Sequence, residues 1–337
     1  MDYLLVPIGS HKRPWELYGR LVTNLLGTGV VRMINFSIVI PTYNRARLLR
    51  ETLASLRGLA IPPGSELEIV IIDNNCTDAT PQVVEEFAKE STVRVRRVIE
   101  TRQGLGFARN RAIEEAKYEH LIYFDDDVEV NSKWLFGYLE ALQLFDADCV
   151  VGPVFPKLEG ALPPYVTPRI IASLSSVYSQ KGPSMILLPA TIAHEVPGCN
   201  FAVQKAVARE VQGFDSTLDR RGHCLLAGGD FEFGQRLVRA GKRVVYHPEC
   251  SIRHVITEEK LSKSYLRRRW YGFGATQRAM EHTTKKSRGR RRIRAVVGAT
   301  RLAVRAALSR LTKPAPVAFE HELEACRAWG YIFGLRS

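Results

Sequence analysis

The sequence predicts an α/β protein: a mostly parallel sheet flanked by helices, with a basic helical extension at its C-terminal end. Three observations lead there. Short unbroken apolar runs rich in β-branched residues recur at 36–41, 67–72 and 120–124, as strands buried on both faces do. Stretches with helical apolar spacing separate them, which is the alternation of βαβ units. Acids close the runs, at Asp73 and at Asp125-Asp126-Asp127. In open α/β sheets ligands bind outside the carboxyl ends of strands, so these acids fall where ligands sit.

The elements follow in order. Residues 1–32 show no clear period and form an N-terminal extension without assigned chemistry. The run 36–41 is the first strand, stopped by Pro41. Thr42-Tyr43-Asn44 is a loop, and 45–56 carries Leu48, Leu49, Leu53 and Leu56 at helical spacing. Pro62-Pro63-Gly64 breaks the chain before the strand 67–72. A helix over 80–89, a short strand over 93–99, a Gly104-Leu105-Gly106 turn and a helix over 107–116 precede the strand that ends in the three acids. A helix over 133–145 and a strand over 149–152 come next. Residues 153–193 are rich in Pro, Gly and Ser without a clean period, as lids and substrate-contacting loops often are. Regular structure returns at 200–203 and 205–211. A helix over 230–240 is closed by Gly241, and short strands follow at 244–246 and 250–254. The expected division is an extension 1–32, a main domain 33–260 with a nucleotide-binding half 33–130 and an acceptor half 131–260, and a segment 261–337.

Composition is that of an ordinary globular protein, with 45% hydrophobic and 25% charged residues. The net charge of +13 is local: residues 283–313 hold eleven Lys or Arg and no acid, so basic character says little about the main domain. The six cysteines (76, 149, 199, 224, 250, 326) form no C-x-x-C pair and no zinc spacing, which suits free thiols in a reducing compartment. No stretch approaches the ~20 apolar residues of a membrane span. The segment 21–31 contains Asn24 and lacks a small-residue cleavage site, which argues against a signal sequence. A cytoplasmic protein is expected.

Several constellations could carry chemistry. The triplet Asp125-Asp126-Asp127 reads either as a solvated acidic turn or as a site where a divalent cation bridges a diphosphate. Asp73 sits where an acid accepts hydrogen bonds from a ribose or base edge, although turn-making is the alternative. Gly104 to Asn110 is a weak phosphate-loop pattern, since it lacks a Walker lysine; Arg109 would be its diphosphate contact. In Gly228-Gly229-Asp230-Phe231-Glu232 two acids open a helix at i, i+2 and so point to different faces. Asp230 is read as a general base or as an N-cap. His254, after a short strand, is a candidate metal ligand or a structural histidine.

Taken in order, these pieces resemble the family 2 glycosyltransferases, which have the GT-A fold. The matching residues are Ser37 to Arg45, Ile72 to Asp78, Gly104 to Asn110, Phe124 to Asp127, Gly198 to Phe201, Gly213 to Asp215 and Gly229 to Glu232. The resemblance implies inverting transfer of a sugar from a nucleoside-diphosphate donor, with Mn²⁺ or Mg²⁺ as cofactor. It places Pro41, Tyr43, Asn44, Arg45 and Asp73 at the nucleotide, together with Gly104, Arg109, Asp125 and Asp126. Asp125 and Asp127 match a D-x-D pair, with His254 as an added ligand, and Asp230 matches the base, with Glu232 in reserve. The chain departs from the pattern at Gly229, where the family has Glu. It also has Cys76 for the commoner Ser. Processive relatives carry membrane spans and Q-x-x-R-W. Here Arg267-Arg268-Arg269-Trp270 has no Gln at the matching place, so one sugar is expected per encounter. The acceptor is expected to be a glycan or lipid-linked saccharide of cell-surface polysaccharide synthesis. The rivals are a sugar-nucleotide nucleotidyltransferase, whose Gly-rich basic loop is missing after the first strand, and a basic nucleic-acid-binding protein.

The basic run begins with Lys285, Lys286, Arg288, Arg290, Arg291, Arg292 and Arg294 and continues as a helix with Ile293, Val297, Val304, Leu308 and Leu311 on one stripe. Arg294, Arg301 and Arg305 lie beside it. That pattern suits an anionic membrane surface and a peripheral location. A solvated helix ranks second. Nucleic acid is not expected as a partner, since no aromatics are interleaved for base stacking.

Overall fold

The computed structural model describes residues 34–176, 180–220, 225–282 and 288–334. The expected extension 1–32 and the start of the basic run, Lys285 and Lys286, lie outside these residues. Eleven strands are described: β1 (Phe36–Thr42), β2 (Leu67–Asp73), β3 (Arg94–Ile99), β4 (His120–Phe124), β5 (Val128–Val130), β6 (Cys149–Val151), β7 (Val154–Leu158), β8 (Ile186–Leu187), β9 (Asn200–Gln204), β10 (Val244–Tyr246) and β11 (Ile252–Ile256).

The main sheet has the order β3-β2-β1-β4-β9-β6-β10-β8. Strands β3, β2, β1 and β4 are mutually parallel, whereas β9 runs antiparallel to both β4 and β6. The central strands are unbroken apolar runs because both of their faces are covered: all seven residues of β1 and of β2 are buried. Alternate residues feed two cores. Ile38 and Ile40 meet Leu49, Leu53 and Trp134 on one face, while Val39 joins Ala108, Ala112 and Phe201 on the other.

A second sheet, β5-β11-β7, closes the far edge of the site. It pairs β11 antiparallel with β5 and parallel with β7. As the sequence predicts, the strand stops at the acids: the chain leaves β4 at Phe124, turns through the triplet and starts β5 in the other sheet, a strand the sequence reading did not include. The acids therefore sit at the junction of two sheets. Buried Asn200 ties this junction together, accepting from Trp134 Nε1 at 2.8 Å and donating to the Cys250 carbonyl at 2.8 Å.

The stretch 153–193 is less irregular than its composition suggests. It contains β7, β8 and a helix, Pro168–Leu174, capped by the Thr167 side chain. Ile170 and Leu174 of that helix join Ile256, Leu261, Leu266, Trp270, Phe319 and Leu323 in a third core. Leu266 and Trp270 lie on a helix, Lys263–His282, that the Arg-Arg-Arg run hides from pattern reading. The last helix, Ala315–Phe333, packs on it and on the basic helix Arg288–Thr312.

Candidate active site

Three chain segments meet at the carboxyl end of β4: the loop after β1, the acid turn, and the end of β11 with the short helix Glu258–Leu261. Asp127 is 1% exposed and Asp126 4% exposed. Adjacent buried carboxylates repel one another and lose hydration, so each requires a cation or hydrogen-bond donors. Asp126 accepts from Thr42 Oγ1 at 2.7 Å and from Arg45 Nη1 at 3.0 Å. Asp127 Oδ2 accepts from the same Arg45 nitrogen at 2.9 Å and from Lys260 Nζ at 2.6 Å. Burial alone would raise both carboxyls. It prevails at Asp126, which is pushed up, while Lys260, His254 and Arg45 hold Asp127 well below the usual carboxylate range.

The other oxygen of Asp127 is different. Oδ1 is buried, is not reached by Arg45 or Lys260, and faces His254 Nε2 at 3.1 Å. Asp125, Asp127 and His254 each present a ligand atom, and these atoms lie within 4.8 Å of one another. Two carboxylates and an imidazole converging within this distance fit a divalent cation by donor type.

Across the site, Arg109 is 3% exposed and donates to the Gly198 carbonyl at 2.9 Å. Its guanidinium lies 3.6 Å from Asp125 and 3.7 Å from Asp219, over the Phe214 ring. Asp230, in the first turn of the helix Gly229–Arg239, accepts from the Gly198 amide at 3.0 Å. A Cβ at Gly198 would meet Arg109 Nη2 at 2.6 Å and Asp230 Oδ2 at 2.7 Å, so a side chain there would push these two groups away. Arg109 and Gly198 thus link Asp230 to Asp125, which lies beside Asp127 and His254. Glu232 is not among them: Arg236 grips its carboxylate at 2.7 Å and also donates to the Val211 and Gly213 carbonyls.

The remaining sequence candidates hold the loops. Asn44 has φ +51° and its side chain accepts from the Thr77 amide at 2.7 Å, pinning the β1 loop to the β2 loop. Asp73 is 2% exposed; one oxygen accepts from the Cys76 amide at 2.7 Å and the other from Arg97 at 2.7 Å. Gly104, at φ +141°, caps the helix Leu105–Glu115 in a backbone region that L side chains rarely adopt. Pro41 is buried in β1, and Tyr43 is exposed at the rim.

Three polar residues escaped the sequence reading: Thr42, Lys260 and Asp219. Asp219 explains the departure at Gly229, because a Cβ there would lie 2.3 Å from Asp219 Oδ2. The carboxylate of Asp219 occupies the room that a side chain at 229 would need. Its Oδ2 has no hydrogen-bond partner among the described residues, and burial pushes its carboxyl up to about 6, with Arg109 opposing and Asp230 and Asp125 adding to the rise.

A carboxyl raised from 3.8 to about 6 binds its proton more tightly when folded. Its contribution to stability is therefore full below the unfolded value and is lost as pH rises through the folded one. Asp219→Asn has no such loss. Its melting temperature relative to wild type should climb between about pH 4 and 6 and level off above. A difference that is constant across that range in parallel melts would show that Asp219 titrates normally.

Comparison with known proteins identifies the family. Residues 37–211 match the model of the family described as Glycosyl transferase family 2. Among curated proteins, the poly(ribitol-phosphate) beta-N-acetylglucosaminyltransferase TarS of Staphylococcus aureus is 33% identical over 31% of this chain. The chondroitin synthase of Pasteurella multocida is 27% identical over 78% of it. The matched segments span 18% and 30% of those two proteins. Among solved structures, a mannosyltransferase from Pyrobaculum calidifontis in complex with GDP-Man and Mn²⁺ superposes with a TM-score of 0.60 at 18% identity, covering 95% of both chains. That likeness is one of fold, the α/β GT-A architecture. With the family match spanning more than half of the residues, this chain belongs to glycosyl transferase family 2.

Proposed function

We propose that the chain transfers a single sugar, with inversion, from a nucleoside-diphosphate sugar to an acceptor hydroxyl. The observation that carries this reading is the convergence of Asp125, Asp127 and His254 at the carboxyl end of β4, with Asp230 held across the space by the Gly198 amide. Mn²⁺ or Mg²⁺ held by the triad would act as a Lewis acid that stabilises the charge developing on the departing diphosphate. Arg109, fixed by the Gly198 carbonyl, adds a cation beside Asp125. Tyr43 at the rim and the Asp73 loop are assigned to the nucleotide. The sugar becomes cation-like as the bond to the diphosphate lengthens, as in glycoside hydrolysis. Asp230 takes the proton of the attacking hydroxyl on the opposite face. With Glu232 engaged by Arg236, Asp230 is the base. Family membership favours sugar transfer over nucleotidyl transfer.

Asp230→Asn is expected to keep donor binding and lower transfer by roughly 10²–10⁴-fold. Asp127→Asn should lose turnover and metal dependence together, by at least about a hundredfold. Transfer assays with donor titration check both. Undiminished turnover in Asp230→Asn would move the base elsewhere, and unchanged metal dependence in Asp127→Asn would remove the metal assignment.

The acceptor is proposed to be a glycan or lipid-linked saccharide in cell-surface polysaccharide synthesis, reached from the cytoplasmic side. The basic helix Arg288–Thr312 supports a lipid surface. Its Ala299, Ala306 and Ser309 are buried, while on the opposite side Val304, Leu308 and Leu311 are 54%, 57% and 85% exposed. The helix packs with its small residues and turns its large apolar ones outward, with Arg301 and Arg305 alongside. Such a face suits an anionic membrane, and its like charges disfavour a second copy. No helix among the described residues is long and apolar enough to cross a membrane. Phosphatidylglycerol vesicles should sediment the full chain, and Leu308→Asn with Leu311→Asn should weaken this about tenfold. Equal sedimentation of the double variant would exclude this face as the contact.

A further inference from the structure

Lys260 is buried, at 7% exposure, on the short helix Glu258–Leu261, whose N-terminus is capped by the Thr257 side chain. Its ammonium donates to Asp127 Oδ2 at 2.6 Å and to the Val255 carbonyl at 3.1 Å, and it lies 3.5 Å from His254 Nε2. It therefore touches two of the three residues that would hold the cation. Arg45 contacts the same Asp127 oxygen at 2.9 Å and Asp126 at 3.0 Å. Asp126 and Asp127 thus already face Arg45 and Lys260, so their charge is offset before any metal arrives. A divalent ion entering alone would bring two charges against an ammonium that already occupies Asp127, in a setting where water screens little. A diphosphate arriving with the ion changes the balance, because its negative charge offsets both.

We propose that Lys260 is an internal counter-ion that stands in for the divalent cation at Asp127 and makes metal binding conditional on the donor's diphosphate. This rests on the assignment of the metal to Asp125, Asp127 and His254. In the absence of donor, Lys260 keeps the acid turn folded and holds metal affinity low. When the diphosphate is present, metal and nucleotide bind with positive coupling, and Lys260 releases Asp127 Oδ2 to share its charge with the phosphates. Lys260 is a positioning residue that sets the order in which the two ligands assemble.

The test is a Mn²⁺ titration of the purified full chain followed by electron paramagnetic resonance, alone and with saturating UDP or GDP. In wild type one nucleotide should tighten Mn²⁺ about tenfold or more. Lys260→Met and Lys260→Gln, the second retaining a hydrogen-bond donor, should each bind Mn²⁺ alone about tenfold tighter than wild type and show a smaller nucleotide effect. Lys260→Arg, which keeps the charge, should behave as wild type. Circular dichroism melts establish which variants are folded. Unchanged or weaker Mn²⁺ binding in a folded Met or Gln variant would overturn the counter-ion role while leaving the metal site in place. Wild type that binds no Mn²⁺ even with nucleotide would overturn the metal assignment, and this proposal with it.

Discussion

The constraint on which the rest depends is the burial of consecutive carboxylates at the end of a central strand. Asp126 and Asp127 are almost wholly enclosed, and a negative charge cannot be left there without compensation. Each neighbouring element answers part of that demand. The β1 loop brings Thr42 and Arg45, β11 brings His254, and the short helix after it brings Lys260. The second sheet exists at this point because the chain leaves β4 at the acids and pairs β5 with β11, carrying His254 to the turn. The geometry that relieves the charge is also the geometry that gathers the candidate metal ligands Asp125, Asp127 and His254.

Arg109 imposes the same logic beside Asp125. A buried guanidinium needs acids, and it draws Asp125 and Asp219 within 4 Å while the Gly198 carbonyl takes a hydrogen bond. Gly198 therefore connects the two halves of the site, its carbonyl bound to Arg109 and its amide to Asp230. The segment before Asp230 is anchored from outside: the Ala227 amide donates to Thr276 Oγ1 at 3.0 Å on the helix Lys263–His282. That helix packs on Ala315–Phe333, which packs on the basic helix. The C-terminal helices are thereby tied to the segment that leads into Asp230.

Much of this was legible in the chain. Central parallel strands announce themselves as unbroken apolar runs, and the acids that end them mark the ligand edge of the sheet. The ordered motifs gave the family, and the structure brings Asp125, Asp127 and His254 together although 127 residues separate the last two. What stayed hidden depends on pairing across long sequence distances. Lys260 lies in Thr-Glu-Glu-Lys-Leu, which reads as a solvated helix start, and only the fold buries it against Asp127. Asp219 looks like one more loop acid, and Gly229 is its single sequence trace. Glu232 reads as an alternative base until Arg236, one helical turn on, is seen to hold it. The strands β5, β7 and β11 are short, and Pro156 within β7 weakens the pattern further.

On the proposed function, this site binds a nucleoside-diphosphate sugar together with a divalent cation. The most direct measurement is thermal stability against UDP-, GDP-, dTDP- and CMP-sugars, each with and without Mn²⁺, since a ligand that binds only the folded state raises the melting temperature. Stabilisation by one nucleotide class, dependent on the metal, is expected. Absence of a shift with every donor, or a shift of equal size without Mn²⁺, would contradict it.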